Sequence, residues 1–298
     1  QEGVAPGLEG TPEIPRIRKW LAVPANANYS FRVKMEKPTY FENVLLHPVQ
    51  HDYKEDESKQ HFSFRPVEYL KDEWVGASGA TRSKNASLGQ FTVLPIALTP
   101  VQYNPRHKLL KVYRRVIVEL TAPSAEPLVQ QPATHLSLEQ AKHLVLNTTQ
   151  VLIESGSSEA GPRLLIVSST DLESYAKEIG AVRQSEGAQV TYATAPAGMT
   201  AVQLKSTLQK LQGESPLDAV LLFGDEKKIP LPNSNGIYGD FNYSLLNGTD
   251  QLSDVAVGRL PVSDAGEAAL MVNKIKKHTE KRLAGQISKN AMLLAHKE

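Results

Sequence analysis

The apolar run from residue 219 to residue 223 constrains the fold of this chain more than any other stretch. Each of its five side chains is apolar, which is the pattern of a strand buried on both faces of a parallel sheet. Gly224 and Asp225 end the run, and a long polar loop rich in Gly, Asn and Asp follows. Open α/β sheets carry their functional groups in the loops at the carboxyl ends of the strands, so the sequence predicts a working surface after this strand.

Residues 161–298 alternate such runs with amphipathic helical segments. The predicted strands are 164–167, 189–193, 219–223, 254–257 and 291–295. Three predicted helices begin at the capping pairs Thr170 with Glu173, Thr200 with Gln203, and Asp264 with Glu267. Regular alternation of strands and helices predicts an α/β fold, with a mostly parallel sheet flanked by helices.

Residues 1–121 follow a different pattern of short alternating or apolar runs separated by Pro, Gly, Asn and charged residues. The runs cover 29–35, 43–46, 62–64, 90–98 and 108–120. They predict a β-rich domain of the sandwich or barrel type, without an amphipathic helix. The small, polar stretch 76–89 is predicted to be an exposed, mobile loop that carries Arg82 and Lys84.

The two patterns meet in a stretch with three prolines and no hydrophobic period, TAPSAEPLVQQPATHLS. It predicts a linker at 122–160 that includes a short helix at 138–147. The chain is therefore divided into a β-rich domain at 1–121, this linker, and an α/β domain at 161–298.

Composition excludes several classes of function. The formal net charge is +1 and no basic block is present, so neither nucleic acid nor an anionic membrane is indicated as a partner. No apolar run is long enough to span a bilayer, and the first residues lack the pattern of an export signal, so such a signal is expected to be absent or already removed. The chain has no cysteine, which excludes disulfides, thiolate zinc sites and a cysteine nucleophile within it.

Several ordered motifs resemble those of one known family. The segments LLFGDEKKIP, GIYGDFNYSLLNGTD and DVAVGRLPV, then a helix ending in KIKKHTEKR, are similar to the caspase-like domain of the gingipain-type cysteine peptidases, family C25. The segment LTPVQYNPRHKLLKVYRRVIVEL is similar to the end of the family's amino-terminal propeptide domain. The resemblance covers most of the chain, and it implies a propeptide followed by the amino-terminal part of the catalytic domain.

The resemblance also implies a catalytic mechanism. In this family a histidine and a cysteine form the catalytic pair, and a carboxylate orients the histidine. Matching AMLLAHKE to the family's apolar strand and the Ala-Glu pair after it places that acid at Glu298, whereas a slip of one residue would place the match at Lys297. The histidine and cysteine of the family lie beyond this strand, so the expected partner is a carboxy-terminal segment or chain of the same peptidase. His296 is expected to be a structural histidine.

Calcium is common in this family, and hard cations bind carboxylate oxygens of irregular loops. The candidate ligands are Asp225, Asp240, Asp250 and Asp254, although the loop lacks the spacing of an EF-hand. In the alternative interpretation Asp225 and Asp254 cap turns and helix ends, and Arg259 pairs with one of them at the sheet edge. No organic cofactor is expected, because the chain has neither a dinucleotide-binding glycine motif nor a P-loop.

The sequence thus predicts the amino-terminal portion of a cysteine endopeptidase zymogen, secreted or displayed at the cell surface by bacterial-type export. The family implies protein or peptide substrates, with cleavage after Arg or Lys. Arg82 or Lys84 would then occupy the specificity pocket or mark a processing site, whereas the alternative is a solvated loop. A different class of function also stays open, a non-catalytic C25-like scaffold or a secretion-associated binding protein.

Overall fold

The computed structural model describes residues 7–25, 29–50, 61–76, 79–121, 133–155, 161–234 and 237–286. The chain forms two compact units. The first contains Gln1–Ala86, Phe91–Gln130 and Ala141–Glu154, and the second contains Ser87–Gln90, Gln131–Gln140 and Ser155–Glu298. Two short segments, Ser87–Gln90 and Gln131–Gln140, therefore belong to the second unit although they precede most of its sequence.

Antiparallel strands dominate the described chain before residue 122. The strands are β1 (Ile17–Ala22), β2 (Ser30–Phe41), β3 (Gly79–Arg82), β4 (Ala86–Leu88), β5 (Phe91–Thr99), β6 (Val101–Asn104) and β7 (Leu109–Thr121). In one sheet β5 lies between β1 and β3, and in another β7 lies between β2 and β6. The pairing of β2 with β7 runs from Ser30 opposite Thr121 to Phe41 opposite Leu110.

An apolar cluster joins these two sheets. Its buried members lie on β1, just after β1, and on β5. They are Leu21, Val23, Leu94, Ile96 and Leu98. Side chains of the other sheet pack against them, among them Phe31, Val116, Val118 and Leu120. The predicted β-rich character is confirmed, while the sandwich or barrel type stays a prediction.

The predicted strands 43–46 and 62–64 are wrong. Both stretches are irregular, and a one-turn helix, α1 (Pro66–Tyr69), follows the second. Hydroxyl groups bind two carbonyls of the first stretch, since Tyr103 donates to the Val44 carbonyl and Tyr69 to the Leu46 carbonyl, each at 2.9 Å. Apolar composition alone therefore did not produce a strand, because these carbonyls bind side chains.

The mobile loop predicted at 76–89 is wrong as well. Residues 79–82 form β3 and residues 86–88 form β4. Arg82 and Lys84 are exposed, as the sequence predicted. β3 pairs with β5 from Gly79 opposite Thr99 to Arg82 opposite Ile96, so main-chain hydrogen bonds hold a segment that composition marked as a loop.

Two helices, α2 (His135–Leu144) and α3 (Thr148–Ser155), occupy the predicted linker. The short helix predicted at 138–147 overlaps α2, which begins and ends three residues earlier in the sequence. Asn147 lies between the helices, where its side chain accepts from the Ala22 N–H and donates to the Ala22 carbonyl, each at 2.9 Å. This two-way contact binds Asn147, the last residue of the predicted helix, to Ala22 outside α2.

A parallel sheet forms the centre of the second unit. The strands are β8 (Arg163–Ser169), β9 (Gln189–Ala195), β10 (Ala219–Phe223) and β13 (Ala256–Leu260), with a short antiparallel pair β11 (Asn233–Ser234) and β12 (Ile237–Tyr238) beside them. The helices are α4 (Glu173–Ser185), α5 (Ala201–Glu214) and α6 (Ala265–Leu283). The order is β13-β10-β8-β9 and every neighbouring pair is parallel, which confirms the predicted parallel sheet for these four strands. The strand predicted at 291–295 lies outside the described residues.

Each face of this sheet has its own apolar core. One core joins alternate residues of the central strands, such as Leu165 and Leu222, to Leu204 and Leu208 of α5. The other joins the intervening residues, such as Ile166 and Phe223, to side chains of α4 and α6. Both faces of β10 are covered, which explains its continuous apolar run. No helix in the described ranges is long and apolar enough to cross a membrane.

Two of the three predicted helix caps are confirmed and one is wrong. Thr200 and Gln203 form a full capping box at α5, and Asp264 accepts the Glu267 N–H at 2.9 Å at the start of α6. The cap predicted at Thr170 is wrong, because residues 170–172 form a 3-10 turn and α4 begins only at Glu173. The Glu173 carboxylate instead accepts from the Thr194 hydroxyl at 2.5 Å.

Candidate functional site

Two polar loops of the second unit meet at the carboxyl edge of the parallel sheet. Strand order reverses between β8 and β10, and ligands of open α/β sheets bind at such a switch point. Asp171 follows β8, Lys228 follows β10, and Lys228 Nζ lies 2.6 Å from Asp171 Oδ2. The ion pair bridges the two loops, and its hydrogen bond holds the pKa of Asp171 below its ordinary value.

Arg259 of β13 fastens the loop that follows β10. Its Nε and Nη2 donate to the two carboxylate oxygens of Asp240 at 2.8 and 2.7 Å. Its Nη1 donates to the carbonyl oxygens of Gly224, Asp225 and Ile229 at 3.0, 3.1 and 3.0 Å. The side chain is only 12% exposed. The planar guanidinium therefore ties a carboxylate and three main-chain carbonyls to one strand.

The turn after β10 requires the glycine at position 224. Gly224 has a φ of +153°, and a Cβ there would lie 2.9 Å from the Cβ of Lys228. Asp225 Oδ1 then accepts the N–H groups of Lys227 and Lys228, each at 3.1 Å. Glycine and aspartate together set the direction in which the chain leaves the strand.

Tyr243 anchors the far end of the same loop. It ends the 3-10 turn Asp240–Tyr243, is fully buried, and donates its hydroxyl hydrogen to the Pro230 carbonyl at 2.7 Å. Burial raises the pKa of Tyr243 to about 12, so the phenol stays protonated and remains a donor at neutral pH. Asp240 lies in the same turn, which joins this anchor to the Arg259 network.

Asp254 organises the next loop, residues 246–254. Its Oδ2 accepts the N–H groups of Leu246 and Asn247 at 2.8 and 2.7 Å, and its Oδ1 accepts the Ser87 hydroxyl at 2.8 Å. The residue is 2% exposed, and burial raises its pKa despite these hydrogen bonds. The three donors offset part of the cost of a buried carboxylate.

Two family models match the chain in sequence order. The model described as Propeptide_C25 matches residues 1–145, and the one described as Peptidase family C25 matches residues 157–298. The chain belongs to peptidase family C25. It comprises the propeptide of a gingipain-like C25 peptidase and part of the catalytic domain.

Curated relatives of this C25 chain come from Porphyromonas gingivalis. Gingipain R2 is 23% identical over 269 residues, which cover 87% of this chain and 36% of the relative. Gingipain R1 is 22% identical over 267 residues, 87% of this chain and 27% of the relative. Lys-gingipain is 24% identical over 132 residues, 42% of this chain and 8% of the relative. The chain thus spans about a third or less of the length of these relatives.

Solved structures of gingipains are also similar to the C25 chain. A complex of the pro- and mature domains of P. gingivalis RgpB is 23% identical, covers 50% of this chain and 78% of that one, and has a TM-score of 0.39. A structure concerning the zymogenic latency of gingipain K is 25% identical, covers 40% and 69%, and has a TM-score of 0.36.

The four aspartates predicted as calcium ligands in this C25 chain do not form one cluster. Asp225 caps a turn, Asp240 pairs with Arg259, and Asp250 and Asp254 accept main-chain N–H groups of the 246–254 loop. Within the described ranges no three His, Asp or Glu side chains are grouped as metal ligands would be. A cation beside Asp240 would face the guanidinium charge of Arg259. These contacts do not fit a shared calcium site, and calcium binding stays a prediction without a described ligand set.

Glu298, the predicted catalytic acid, lies outside the described residues, as does His296. Sequence reasoning did not single out Lys228, Asp171, Tyr243 or Ser87. A signal existed for Tyr243, which lies in the family motif GIYGDFNYSLLNGTD. No local pattern could have indicated Ser87, because its partner Asp254 is 167 positions away.

Replacing Arg259 by Lys tests the network at the sheet edge. An ammonium cannot bind Asp240 through two bonds while also reaching three carbonyls, so we expect Arg259→Lys to lower the free energy of unfolding by about 3 kcal/mol. Urea unfolding followed by circular dichroism measures the change. Arg282, which is 47% exposed and pairs with Glu186, provides the control, since Arg282→Lys should change stability by less than about 1 kcal/mol. Equal effects of the two variants would contradict the role of Arg259.

The buried carboxylate of Asp254 predicts a pH dependence. Its raised pKa means that its stabilising contribution is complete below the unfolded-state pKa of about 3.9 and is lost as pH rises through the folded-state pKa. Asp254→Asn cannot ionise, so its stability relative to the natural protein should increase from pH 3 to pH 7 in urea titrations.

For Asp171 the stability of the Asn variant relative to the natural protein should change with pH in the opposite direction. Asp171→Asn therefore serves as the control for the urea titrations. The pKa of Asp171 is lowered by Lys228, so its contribution is present above the unfolded-state pKa and is lost as pH falls. The relative stability of Asp171→Asn should therefore decrease from pH 3 to pH 7. If the difference in free energy of unfolding between Asp254→Asn and the natural protein does not change over this range, ionisation of Asp254 carries no cost.

Proposed function

We propose that this chain is the amino-terminal portion of a cysteine endopeptidase zymogen. The part that matches the propeptide model inhibits the peptidase and assists its folding. Its two antiparallel sheets, which the apolar cluster around Leu94 and Ile96 joins, form a small sandwich. The part that matches the peptidase model supplies one subdomain of the catalytic domain. The observation that carries this proposal is the order of the two C25 models within one chain.

The chemistry of the proposed site needs a nucleophile that this chain does not contain. A thiolate beside an imidazolium is a strong nucleophile at neutral pH, and a carboxylate on the other imidazole nitrogen fixes the tautomer and stabilises the charge. The chain has no cysteine, so the nucleophile comes from a following segment or a separate chain, together with the histidine. Glu298 is proposed as the carboxylate, at the carboxyl end of the strand predicted at 291–295.

The names of the curated relatives support a preference for basic residues. They include gingipain R and Lys-gingipain, and on this basis we propose cleavage of proteins or peptides after Arg or Lys. Arg82 and Lys84 are exposed basic residues in the propeptide sequence and are proposed as inhibitory or processing residues. The same resemblance supports the proposal that the protein acts outside the cell or on its surface after bacterial-type export.

A full-length protein that includes the following segment tests the function. We expect it to be latent, and to hydrolyse fluorogenic Arg or Lys peptides once the region of residues 1–145 is cleaved off, with activity abolished by iodoacetamide. The matched substrate with a neutral residue before the scissile bond serves as control. A processed protein that contains a cysteine and a histidine after residue 298 yet hydrolyses none of these peptides would favour the non-catalytic scaffold.

The same full-length protein tests the proposed acid. Glu298→Ala should lower kcat/KM by about 10³- to 10⁴-fold, and loss of the cysteine by about 10⁶-fold, because an orienting carboxylate contributes less than the nucleophile. Lys297→Ala is the matched control at the neighbouring position and should change kcat/KM by less than about threefold. Unchanged kcat/KM for Glu298→Ala removes the assignment, and a large loss for Lys297→Ala indicates that the alignment is shifted by one residue.

A further inference from the structure

A short piece of propeptide sequence is built into the second unit. The propeptide model covers residues 1–145, yet Ser87–Gln90 belongs to the unit that contains the parallel sheet. Within that unit the segment lies against the 246–254 loop. The contact is therefore part of the same compact body as the peptidase sequence.

Ser87 is held through both its main chain and its side chain. Its N–H donates to Asp250 Oδ2 at 2.8 Å, and its hydroxyl donates to Asp254 Oδ1 at 2.8 Å. Two residues later, the Gly89 carbonyl accepts from Asn247 Nδ2 at 3.1 Å. Main-chain contacts at alternate positions combined with one side-chain contact are the usual way in which a protein binds an extended peptide.

The 246–254 loop divides the oxygens of its two carboxylates between itself and this segment. Asp250 Oδ1 accepts the Leu252 N–H at 2.8 Å, and Asp254 Oδ2 accepts two N–H groups of the loop. The second oxygen of each carboxylate is the one that meets Ser87. The loop is thus shaped by its own hydrogen bonds and presents one oxygen of each aspartate to the segment.

Glycine and burial complete the fit. Gly248 has a φ of +66°, and a Cβ there would lie 3.2 Å from Asp250 Oδ2 and 3.9 Å from the Cβ of Ser87. Leu88 is 3% exposed and Asp254 is 2% exposed. Without the Ser87 hydroxyl, a buried carboxylate oxygen would lose a donor, which strongly favours a hydroxyl-bearing residue at this position.

We propose that the 246–254 loop is a peptide-binding site whose occupant is the Ser87–Gln90 segment, and that Asn247, Asp250 and Asp254 recognise it through the Ser87 hydroxyl and the main chain. The site retains a piece of propeptide sequence within the peptidase part. The description of the segment as propeptide and of the loop as peptidase rests on the proposed zymogen function. The contact itself can be tested without any enzyme activity.

Hydrogen-deuterium exchange of the 298-residue chain tests the site. In Ser87→Ala, amides of residues 87–90 and 246–247 should exchange at least tenfold faster than in the natural chain, and Asp250→Asn should accelerate exchange at 87–90. Ser83→Ala removes an exposed hydroxyl from the same stretch and should leave these rates unchanged. Ser87→Thr restores the hydroxyl and should exchange within about threefold of the natural chain.

The proposal is overturned if the amides of residues 87–90 and 246–247 exchange at the same rate in Ser87→Ala as in Ser83→Ala. It is also overturned if Ser87→Ala and Ser87→Thr accelerate their exchange equally. Intact protection of residues 163–169 and 219–223 in each variant shows that the sheet is folded. Failure of the zymogen function is a separate result. A full-length protein without peptidase activity removes that function, whereas serine-dependent exchange still supports the peptide-binding site.

Discussion

The contact between Arg259 and its acceptors is the interaction on which the rest of the second unit depends. A carboxylate and three carbonyl oxygens, drawn from separate parts of the chain, converge on one guanidinium that is 12% exposed. Burial of a charge is unfavourable unless every donor is satisfied, and here Nε, Nη1 and Nη2 each have an acceptor. The cost of desolvation is thereby offset by contacts that also close the loop after β10 and hold the turn at Asp240.

Arg259 reaches these acceptors because β13 pairs with β10, with Arg259 opposite Leu222. The run at 219–223 predicted a strand covered on both faces, and the observed cores on the two sides of β10 confirm it. Local signals were sufficient where local chemistry decides the outcome, as at the Thr200 cap. They failed at Thr170, where a 3-10 turn precedes the helix, and Glu173 binds Thr194 rather than the helix start.

The candidate site was predictable in its residue types but not in its pairings. The polar loop supplied Asp225, Asp240, Asp250 and Asp254, and carboxylates in an irregular loop are compatible with a cation, a cap or an ion pair. Only the fold shows that Asp240 faces Arg259 and that Asp254 faces Ser87. Long-range pairs leave no periodic trace in a sequence, which is why composition predicts a loop at 76–89 although part of that segment binds within the second unit.

Strand pairing in the two units also differs in how far apart along the chain the partners lie. Ser30 pairs with Thr121 in the first unit, whereas Arg163 pairs with Gln189 in the second. The entropic cost of closing a loop rises with this separation, and chains dominated by distant pairings fold more slowly. A domain that assists its neighbour's folding must already have its own structure. Under the proposed folding role of the propeptide part, the closure of β2 onto β7 sets the earliest time at which that assistance can begin.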